Sequence, residues 1–229
     1  MHAQGLQVAI DGPASAGKST VAKIVAQRFS YVYVDTGAMY RTITLVALEA
    51  QVDLTNEAQI MNLLQQTQIT FRPGEPVQHV FANQTEVTNA IRSETVTNNV
   101  STVAALPQVR SALVKRQQEI AADGGVVMDG RDIGTTVLPN AEVKIFLIAS
   151  VEQRAERRYL ENQAKGITTS LSDLQTEIAE RDYKDSHRAV SPLQKAQDAV
   201  EIDTTTLTIN QVVAKIAQLI DEKLNLTKN

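Results

Sequence analysis

The feature that most constrains the fold of this chain is a short loop between an apolar strand pattern and a helical pattern. The strand pattern covers residues 6–10, and the loop reads Gly12-x-x-x-x-Gly17-Lys18-Ser19. This spacing and context are typical of a phosphate-binding loop, in which backbone N–H groups wrap a polyphosphate. Gly12 and Gly17 permit the backbone angles that this requires. The N-terminus of the following helix adds a positive dipole end that favours an anion.

Two side chains of the loop have predicted roles. Lys18 brings a positive charge to the outer phosphates of a bound triphosphate. Ser19 offers its hydroxyl to a magnesium ion, partly through water. The loop therefore predicts a nucleotide site whose chemistry concerns phosphate.

The composition limits the class of protein. A chain of 229 residues with 43% hydrophobic residues can form one large domain or a domain with an insertion. A net charge of −4 gives no basic face for nucleic acid, and the three histidines and absent cysteines argue against a histidine or thiolate metal site. The first residues lack the segments of a signal peptide, and no apolar run is long enough to span a membrane. We expect a cytoplasmic protein without nucleic-acid or membrane partners.

Apolar segments alternate with helical patterns along most of the chain, which predicts an α/β fold of the P-loop NTPase type with a parallel five-stranded sheet flanked by helices. The predicted strands are residues 8–11, 31–35, 126–129, 143–148 and 200–203. Four of them end in an aspartate: Asp11, Asp35, Asp129 and Asp203. Because ligands of open α/β sheets bind beyond the carboxyl ends of the strands, we expect these carboxylates near the site, with some of them capping the next element.

Residues 62–102 interrupt the alternation and predict an inserted α+β piece, which leaves residues 1–61 and 103–229 as the core. Residues 68–71 and 77–82 predict an antiparallel hairpin with a turn at residues 72–75, and residues 86–88 predict a third strand. One helical segment is predicted from about residue 93, with a restart at Pro107, and another over residues 171–190. Two further helices are predicted to begin with a capping box, one after Ser150 with Gln153 as the partner and one at Thr208 with Gln211 as the partner.

Two further charged loops follow predicted strands, at residues 35–41 and 129–135. Either loop alone is also typical of a salt-bridged turn, but three such loops are predicted at the same edge of one sheet. A helical face carries Arg181, Asp185 and Arg188 at i, i+4 and i+7. Taken alone, this last pattern is more typical of a solvent-exposed ladder of ion pairs.

Arginine is concentrated in or beside these segments. The residues are Arg41, Arg110, Arg131, Arg154, Arg157, Arg158, Arg181 and Arg188. The planar, always-charged guanidinium matches phosphate, so the pattern favours transfer of a phosphoryl group between two nucleotides. When the acceptor is itself a phosphate, its oxygen is already ionised and no general base is needed, which fits loops that contain no histidine.

These segments resemble those of bacterial cytidylate kinases, a family of nucleoside monophosphate kinases. The resemblance covers nearly the whole chain and depends on residues 10–20, 35–41, 101–110, 129–135, 143–147, 180–188 and 202–205. The phosphate-binding loop is shared by many families, whereas Asp-Gly-Arg-Asp at 129–132 and Arg-Asp-x-x-x-Asp-x-x-Arg at 181–188 are more specific. The resemblance implies ATP-dependent phosphorylation of CMP and dCMP with Mg²⁺. It also implies a monophosphate-binding domain at residues 62–102 and a short lid at about 154–166. Because such enzymes close hinged domains around the substrate, we expect a monomer.

The resemblance also implies roles for individual residues. Those expected to hold the phosphates of ATP are Gly12, Pro13, Ala14, Ser15, Ala16, Gly17, Lys18, Ser19 and Thr20. Those expected to bind CMP are Thr36, Ser101, Arg110 and Asp132 at the cytosine, Arg181 and Asp185 at the sugar, and Arg41, Arg131 and Arg188 at the acceptor phosphate. Those expected at the migrating group are Lys18, Arg131 and Arg188, with Arg154, Arg157 and Arg158 from the lid. Asp132 can accept from the exocyclic amine while Arg110 donates to the ring, a pattern that uracil inverts in part.

Two other functions stay open at this point. A kinase with a small alcohol acceptor shares the phosphate-binding loop, but it lacks so large an insertion and needs a base to take the alcohol proton. A nucleotide-operated switch would also bind ATP or GTP, but the Asn-Lys-x-Asp segment of guanine-binding switches is absent from this sequence. Acceptor-stimulated ADP release distinguishes the three functions.

Overall fold

The structure, a computed structural model, describes residues 5–72, 74, 78–164 and 166–226. The chain forms two units, Met1–Val34 together with Ile120–Asn229, and Asp35–Glu119. The strands are β1 Gln7–Asp11, β2 Val32–Asp35, β3 Ile69–Arg72, β4 His79–Ala82, β5 Thr85–Glu86, β6 Val126–Gly130, β7 Val143–Ile148 and β8 Val200–Asp203. The helices are α1 Lys18–Phe29, α2 Thr36–Glu49, α3 Glu57–Gln66, α4 Glu94–Ala104, α5 Pro107–Ala121, α6 Val151–Ala164, α7 Leu171–His187 and α8 Ile209–Leu226.

The first unit is built on a five-stranded sheet in the order β2-β6-β1-β7-β8. Strand β1 is central and pairs in parallel with β6 and β7, and β7 pairs in parallel with β8. Val8 and Ile10 of β1 have no exposed area, because they pack in one core with Val25 of α1 and Ile216 of α8. The three inner strands β1, β6 and β7 are buried along most of their length and therefore read as apolar runs. The edge strands β2 and β8 are partly exposed, at Val32 and Val200 among others, although their sequences also predicted strands. The predicted α/β fold with a parallel sheet is confirmed.

The second unit contains a three-stranded antiparallel sheet in the order β3-β4-β5. This confirms the predicted hairpin and third strand, although the third strand is Thr85–Glu86 rather than 86–88. Residues Pro73, Glu75 and Val77 of the predicted hairpin lie outside the described residues. The apolar core joins α2 to α4 and α5, with Ile43 and Leu113 fully buried. The boundaries 62–102 for a separate domain stay a prediction.

Of the predicted helix ends, one capping box forms as expected and two ends differ. The capping box at Thr208 forms in both directions, since the Thr208 N–H donates to Gln211 Oε1 at 2.9 Å and the Gln211 N–H donates to Thr208 Oγ1 at 3.3 Å. The box at Ser150 forms in one direction only, because the Ser150 N–H instead donates to Thr205 Oγ1 after β8. Helix α7 ends at His187 rather than 190, and the next residue is extended.

The helices contain no membrane-spanning candidate within the described part of the chain, because none is both long and apolar enough.

Candidate functional site

The predicted phosphate-binding loop lies between β1 and α1 and has left-handed backbone angles. Gly12 has a φ of +148° and Gly17 a φ of +85°. A Cβ atom at position 12 would lie 2.2 Å from the backbone oxygen of Leu147 in β7, so only glycine fits there. Ser15 also has a positive φ, +58°, which nothing in the sequence pattern predicted. Helix α1 begins at Lys18, so its first N–H groups can bind an anion directly behind the loop.

Lys18 is buried within the loop that it completes. Its Nζ donates a hydrogen bond to the backbone oxygen of Pro13, 2.6 Å away. Burial lowers the pKa of the Lys18 amine well below its ordinary value, and the nearby Arg131 guanidinium lowers it further against the opposing charge of Asp129. An anion in the loop would stabilise the charged amine, so this environment favours phosphate.

Asp129 connects the loop to strand β2. Its Oδ2 accepts a hydrogen bond from Ser19 Oγ at 2.8 Å, and its Oδ1 accepts one from the Tyr33 hydroxyl at 2.8 Å. Ser19 is the residue predicted to contact magnesium, and one hydroxyl with one carboxylate suits an ion that takes its other ligands from phosphates and water. Within the described residues, no group of three or more histidine, aspartate or glutamate side chains could hold a metal by itself.

The helical face of Arg181, Asp185 and Arg188 does not form a solvent-exposed ladder. The side chain of Asp185 is 7% exposed, and its Oδ2 accepts a hydrogen bond from Arg131 Nε at 2.8 Å. Burial opposes ionisation of Asp185, but the charges of Arg131 and Arg181 outweigh it and hold the pKa of this carboxyl below its ordinary value. The charged loop after β6 and helix α7 therefore belong to one charge cluster.

This cluster concentrates positive charge in a buried place. Burial alone would lower the pKa of Arg131, but the neighbouring Asp185 raises it above its ordinary value. Arg181 is different: burial, and then repulsion by Arg131, lower its pKa to about 10. Its Nε is buried and has no hydrogen-bond partner among the residues that the structure describes. Cations held under mutual repulsion suit a multiply charged anion.

Asp132 and Arg188 lie together in the first unit. Arg188 Nη2 is 3.5 Å from Asp132 Oδ1, and both side chains are almost fully buried. Arg188 Nε also donates to the backbone oxygen of Ser191 at 2.7 Å. The sequence predicted Asp132 at the base of CMP and Arg188 at its phosphate, and the two residues form an ion pair with each other here.

Asp11, at the end of β1, is 4% exposed. Its two oxygens accept hydrogen bonds from the backbone N–H groups of Ile133 and Gly134, at 2.8 and 2.7 Å. Burial nevertheless raises the pKa of this carboxyl to about 6, with a further contribution from the charge of Asp132. Asp11 therefore ionises near neutral pH rather than near pH 4.

The raised pKa of Asp11 predicts a pH-dependent stability. Between pH 4 and pH 6 the unfolded chain releases the Asp11 proton while the folded protein still holds it, so rising pH favours unfolding. We expect the unfolding free energy of the wild type to fall by up to about 3 kcal/mol relative to Asp11→Asn between pH 4 and pH 7. Urea unfolding of both proteins at each pH measures this difference, in which the titration of other groups cancels. A constant difference would contradict the raised pKa.

Arg154, predicted for the lid, is held against the phosphate-binding loop. Its Nη1 donates to the backbone oxygen of Ala14 at 3.1 Å and forms an ion pair with Asp182 of α7. Asp182 also accepts from the Ala14 N–H at 3.3 Å. Side chains of two helices therefore hold both backbone polar groups of one loop residue.

The other two lid arginines have separate partners. Arg157 donates to the backbone oxygen of Thr204, just after β8, at 2.6 Å. Arg158 is about one third exposed and pairs with Glu161 within α6 at 3.6 Å. Arg158 is therefore the lid arginine with the weakest contacts in this structure, and its role in catalysis stays a prediction.

Four residues predicted to bind CMP lie in the second unit: Thr36, Arg41, Ser101 and Arg110. Thr36 is buried at the start of α2, where Asp35 caps the helix by accepting from the Ala38 N–H at 2.9 Å. Asp35 therefore acts as a cap, as some strand-end acids were expected to do. Ser101 lies in the last half of α4.

The two arginines predicted to bind CMP, Arg41 and Arg110, are held by side-chain and backbone partners. Arg41 Nη1 donates to Thr97 Oγ1 at 2.8 Å. Arg110 is 2% exposed, donates to the backbone oxygen of Ala104 at 3.0 Å, and has its guanidinium carbon 5.3 Å from the ring centre of Tyr40. A guanidinium over an aromatic ring is fixed in direction as well as in place. Arg110 is therefore oriented before any ligand binds.

Asp129 and Asp182 contact the phosphate-binding loop but were not among the predicted site residues, and neither was Tyr33, which contacts Asp129. Only Asp129 had a signal in the sequence, its position at the end of a strand. Tyr33 belongs to an ordinary strand pattern, and Asp182 reads as part of a charged helix.

Comparison with known proteins places this geometry in a family. Residues 8–222 match the family model described as cytidylate kinase. The cytidylate kinase of Lactiplantibacillus plantarum is 62% identical over 227 residues, which cover 99% of this chain and 100% of the relative. The cytidylate kinase of Ligilactobacillus salivarius is 64% identical over 218 residues, covering 95% and 97% of the two chains. This chain belongs to the cytidylate kinase family.

Membership in the cytidylate kinase family confirms the resemblance based on the sequence motifs and favours it over the alcohol kinase and the nucleotide-operated switch. A solved structure of an uncharacterized protein from Eubacterium ventriosum is also similar, with a TM-score of 0.51 at 10% identity over 95% of this chain and 98% of that chain. At this identity the similarity concerns the fold alone.

Proposed function

We propose that this chain transfers the terminal phosphoryl group of ATP to CMP and dCMP, giving CDP and dCDP. The observation that carries the proposal is the buried cation cluster of Lys18, Arg131 and Arg181. Burial, and then repulsion from Arg131, lower the pKa of both Lys18 and Arg181. Phosphate oxygens would supply the missing negative charge, and the charge that moves between donor and acceptor would stay within reach of fixed cations.

The proposed roles follow the positions of the residues. The loop at residues 12–20 holds the phosphates of ATP, and Lys18 exchanges the backbone oxygen of Pro13 for an oxygen of the migrating group. Arg131 and Arg188 hold the acceptor phosphate with Arg41, and Arg154 and Arg158 act from α6. The attacking oxygen of CMP is already ionised, so no residue has to remove a proton.

Recognition of CMP is proposed for the side chains that the family motifs imply. Asp132 accepts from the exocyclic amine of cytosine, and Arg110, with Thr36 and Ser101, donates to the ring and its carbonyl. Asp185 binds the sugar hydroxyl that CMP and dCMP share, supported by Arg181. These assignments rest on the family motifs together with the burial and fixed orientation of Asp132, Arg110 and Asp185.

The experiment that tests the function is coupled ADP release with ATP, Mg²⁺ and a panel of nucleoside monophosphates, with small hydroxy acids as alternative acceptors. We expect CMP and dCMP to have the highest kcat/KM. Asp132→Ala should raise the KM for CMP about 10- to 100-fold and weaken discrimination against UMP, because the acceptor for the exocyclic amine is lost. A variant that keeps the wild-type preference would show that Asp132 does not read the base.

Mg²⁺ is proposed to bind with ATP at Ser19, partly through water, and near Asp129. When bound, it would neutralise charge on the phosphate oxygens. Asp129 accepts hydrogen bonds from both Ser19 and Tyr33. These oxygen groups suit a hard cation that also keeps phosphate and water ligands.

Mg²⁺ should increase the affinity for ADP, and Asp129→Asn should shift the midpoint of this effect to an Mg²⁺ concentration about tenfold higher. The reason is that the substitution weakens the group that orients Ser19. Calorimetric titration of ADP at several Mg²⁺ concentrations, with EDTA as the zero point, measures this without turnover. Asp203→Asn is a matched control, since Asp203 also ends a strand and accepts from a backbone N–H. Equal Mg²⁺ dependence in the two variants would remove Asp129 from the site.

We also propose that the chain acts as a cytoplasmic monomer without a nucleic-acid partner. Its net charge of −4 supports the last point. Size-exclusion chromatography with light scattering tests the oligomeric state directly.

A further inference from the structure

Asp11 contacts the loop that carries two of the proposed CMP residues. Its Oδ1 accepts from the Ile133 N–H at 2.8 Å and its Oδ2 from the Gly134 N–H at 2.7 Å. Ile133 and Gly134 begin a π-helical turn, Ile133–Val137, directly after Arg131 and Asp132. One buried carboxylate on β1 therefore holds the backbone immediately after the proposed base-reading side chain.

The contacts fix the turn from its first residues. The N–H groups at the start of a helical turn have no acceptor within it, so an outside acceptor must bind them. The backbone oxygen of Asp132 accepts from Thr136 and Val137 at 2.8 and 3.2 Å. Asp132 is thus held through its own carbonyl on one side and through the next N–H on the other. A shift of this backbone would move the Asp132 carboxylate directly.

We propose that Asp11 is a positioning residue for acceptor recognition: its two-oxygen contact with Ile133 and Gly134 holds Asp132 in the direction that reads cytosine. The inference rests on the proposed function in that it assigns the reading of the base to Asp132. It adds a residue at the end of strand β1 that acts through the backbone next to Asp132.

The chemistry of the contact requires a carboxylate. An asparagine would offer one oxygen, and its NH₂ group would face the second backbone N–H, where a donor meets a donor. The charged groups that act on Asp11 are Asp132 and Lys18, with opposite signs. The stem of Lys144 lies beside Gly134 and close to Asp11 Oδ2, while its amine binds Asp198. A buried carboxylate whose pKa lies near 6 is costly to keep, which favours a role beyond packing.

The test compares Asp11→Asn with the wild type in two independent measurements. The first is hydrogen exchange of the backbone over residues 131–137 without substrate, which we expect to become faster while exchange in α8 stays unchanged. The second is steady-state kinetics. We expect kcat/KM for CMP to fall at least about tenfold, mainly through KM, and the preference for CMP over UMP to weaken, because a displaced loop misplaces Asp132. The KM for ATP should change less than the KM for CMP, since Arg154 and Asp182 hold the phosphate-binding loop at Ala14 independently of Asp11.

Gly134→Ala perturbs the same contact from the opposite side and leaves Asp11 in place, which covers the case that Asp11→Asn folds poorly. Its methyl group would lie 3.4 Å from Asp11 Oδ2 and 3.3 Å from Lys144 Cδ, so the turn must shift by a few tenths of an ångström. We expect a smaller change in the same direction. Asp203→Asn, another strand-end carboxylate, should match the wild type in both measurements.

The outcomes separate the inference from the proposed function. Faster exchange over residues 131–137 with unchanged preference for CMP over UMP would overturn the positioning role of Asp11, as would a fall in kcat that is equal for both acceptors. Unchanged exchange over residues 131–137 would overturn the positioning role as well, whatever the kinetic result. If the wild type fails to prefer CMP, the proposed function fails, and the exchange measurement still reports on the contact itself.

Discussion

Lys18→Ala should lower kcat about 10²- to 10³-fold without unfolding the protein, because it removes a fixed positive charge from the place where charge moves between two phosphates. Burial lowers the pKa of Lys18 well below its ordinary value, so keeping this amine charged in the folded protein costs free energy. Removing it should therefore leave Tm unchanged or higher. Stopped assays at saturating ATP and CMP, with thermal unfolding of the same samples, measure both effects.

Lys215→Ala is the matched control for Lys18→Ala, because Lys215 is exposed on α8. It should keep wild-type kcat. An unchanged kcat for Lys18→Ala would contradict the assignment of the phosphate-binding loop. A large loss of Tm would show that the Lys18 amine stabilises the fold rather than the reaction.

Asp185→Ala should affect both stability and acceptor binding. It removes the carboxylate that accepts from Arg131 at 2.8 Å and leaves Arg131 and Arg181 buried with like charges. We expect the unfolding free energy to fall by about 3–5 kcal/mol, since removing one partner of a buried ion pair leaves an uncompensated charge. The neighbouring cations hold the pKa of Asp185 below its ordinary value, so this stabilisation is present at neutral pH and is lost only as the pH falls through the lowered pKa. The KM for both CMP and dCMP should rise.

Two further variants separate the effects of Asp185→Ala. Asp185→Asn keeps the shape and a hydrogen-bond acceptor, so it should lose less stability but still bind CMP more weakly. Glu177→Ala, at an exposed position of the same helix, should change neither property. Equal stability of Asp185→Ala and Glu177→Ala in urea unfolding would mean that the buried cations do not need this carboxylate.

The fold was predictable to the extent that it depends on local patterns. The inner strands β1, β6 and β7 read as apolar runs because they are largely buried, and the glycines of the phosphate-binding loop lie at fixed spacing along the chain. Helix ends were less predictable, because distant partners compete for the same groups. The Ser150 N–H binds Thr205 after β8 rather than Gln153, and no pattern around Ser150 indicates this.

The site was predictable in its residue types and not in its contacts. Arg181 and Asp185 share a helical face in the sequence, but such a face is usually solvent-exposed, and only tertiary packing buries it. The paired contacts of Asp129 with Ser19 and Tyr33 join three segments that lie far apart along the chain. Asp11 shows the same limit, because its partners lie more than a hundred residues away.

The close approach of position 12 to the backbone of β7 has a consequence for redesign. A side chain there would meet the Leu147 carbonyl oxygen at 2.2 Å, and that oxygen belongs to a strand that cannot retreat without separating from its neighbours. Libraries that vary this loop to change donor preference should therefore keep position 12 constant.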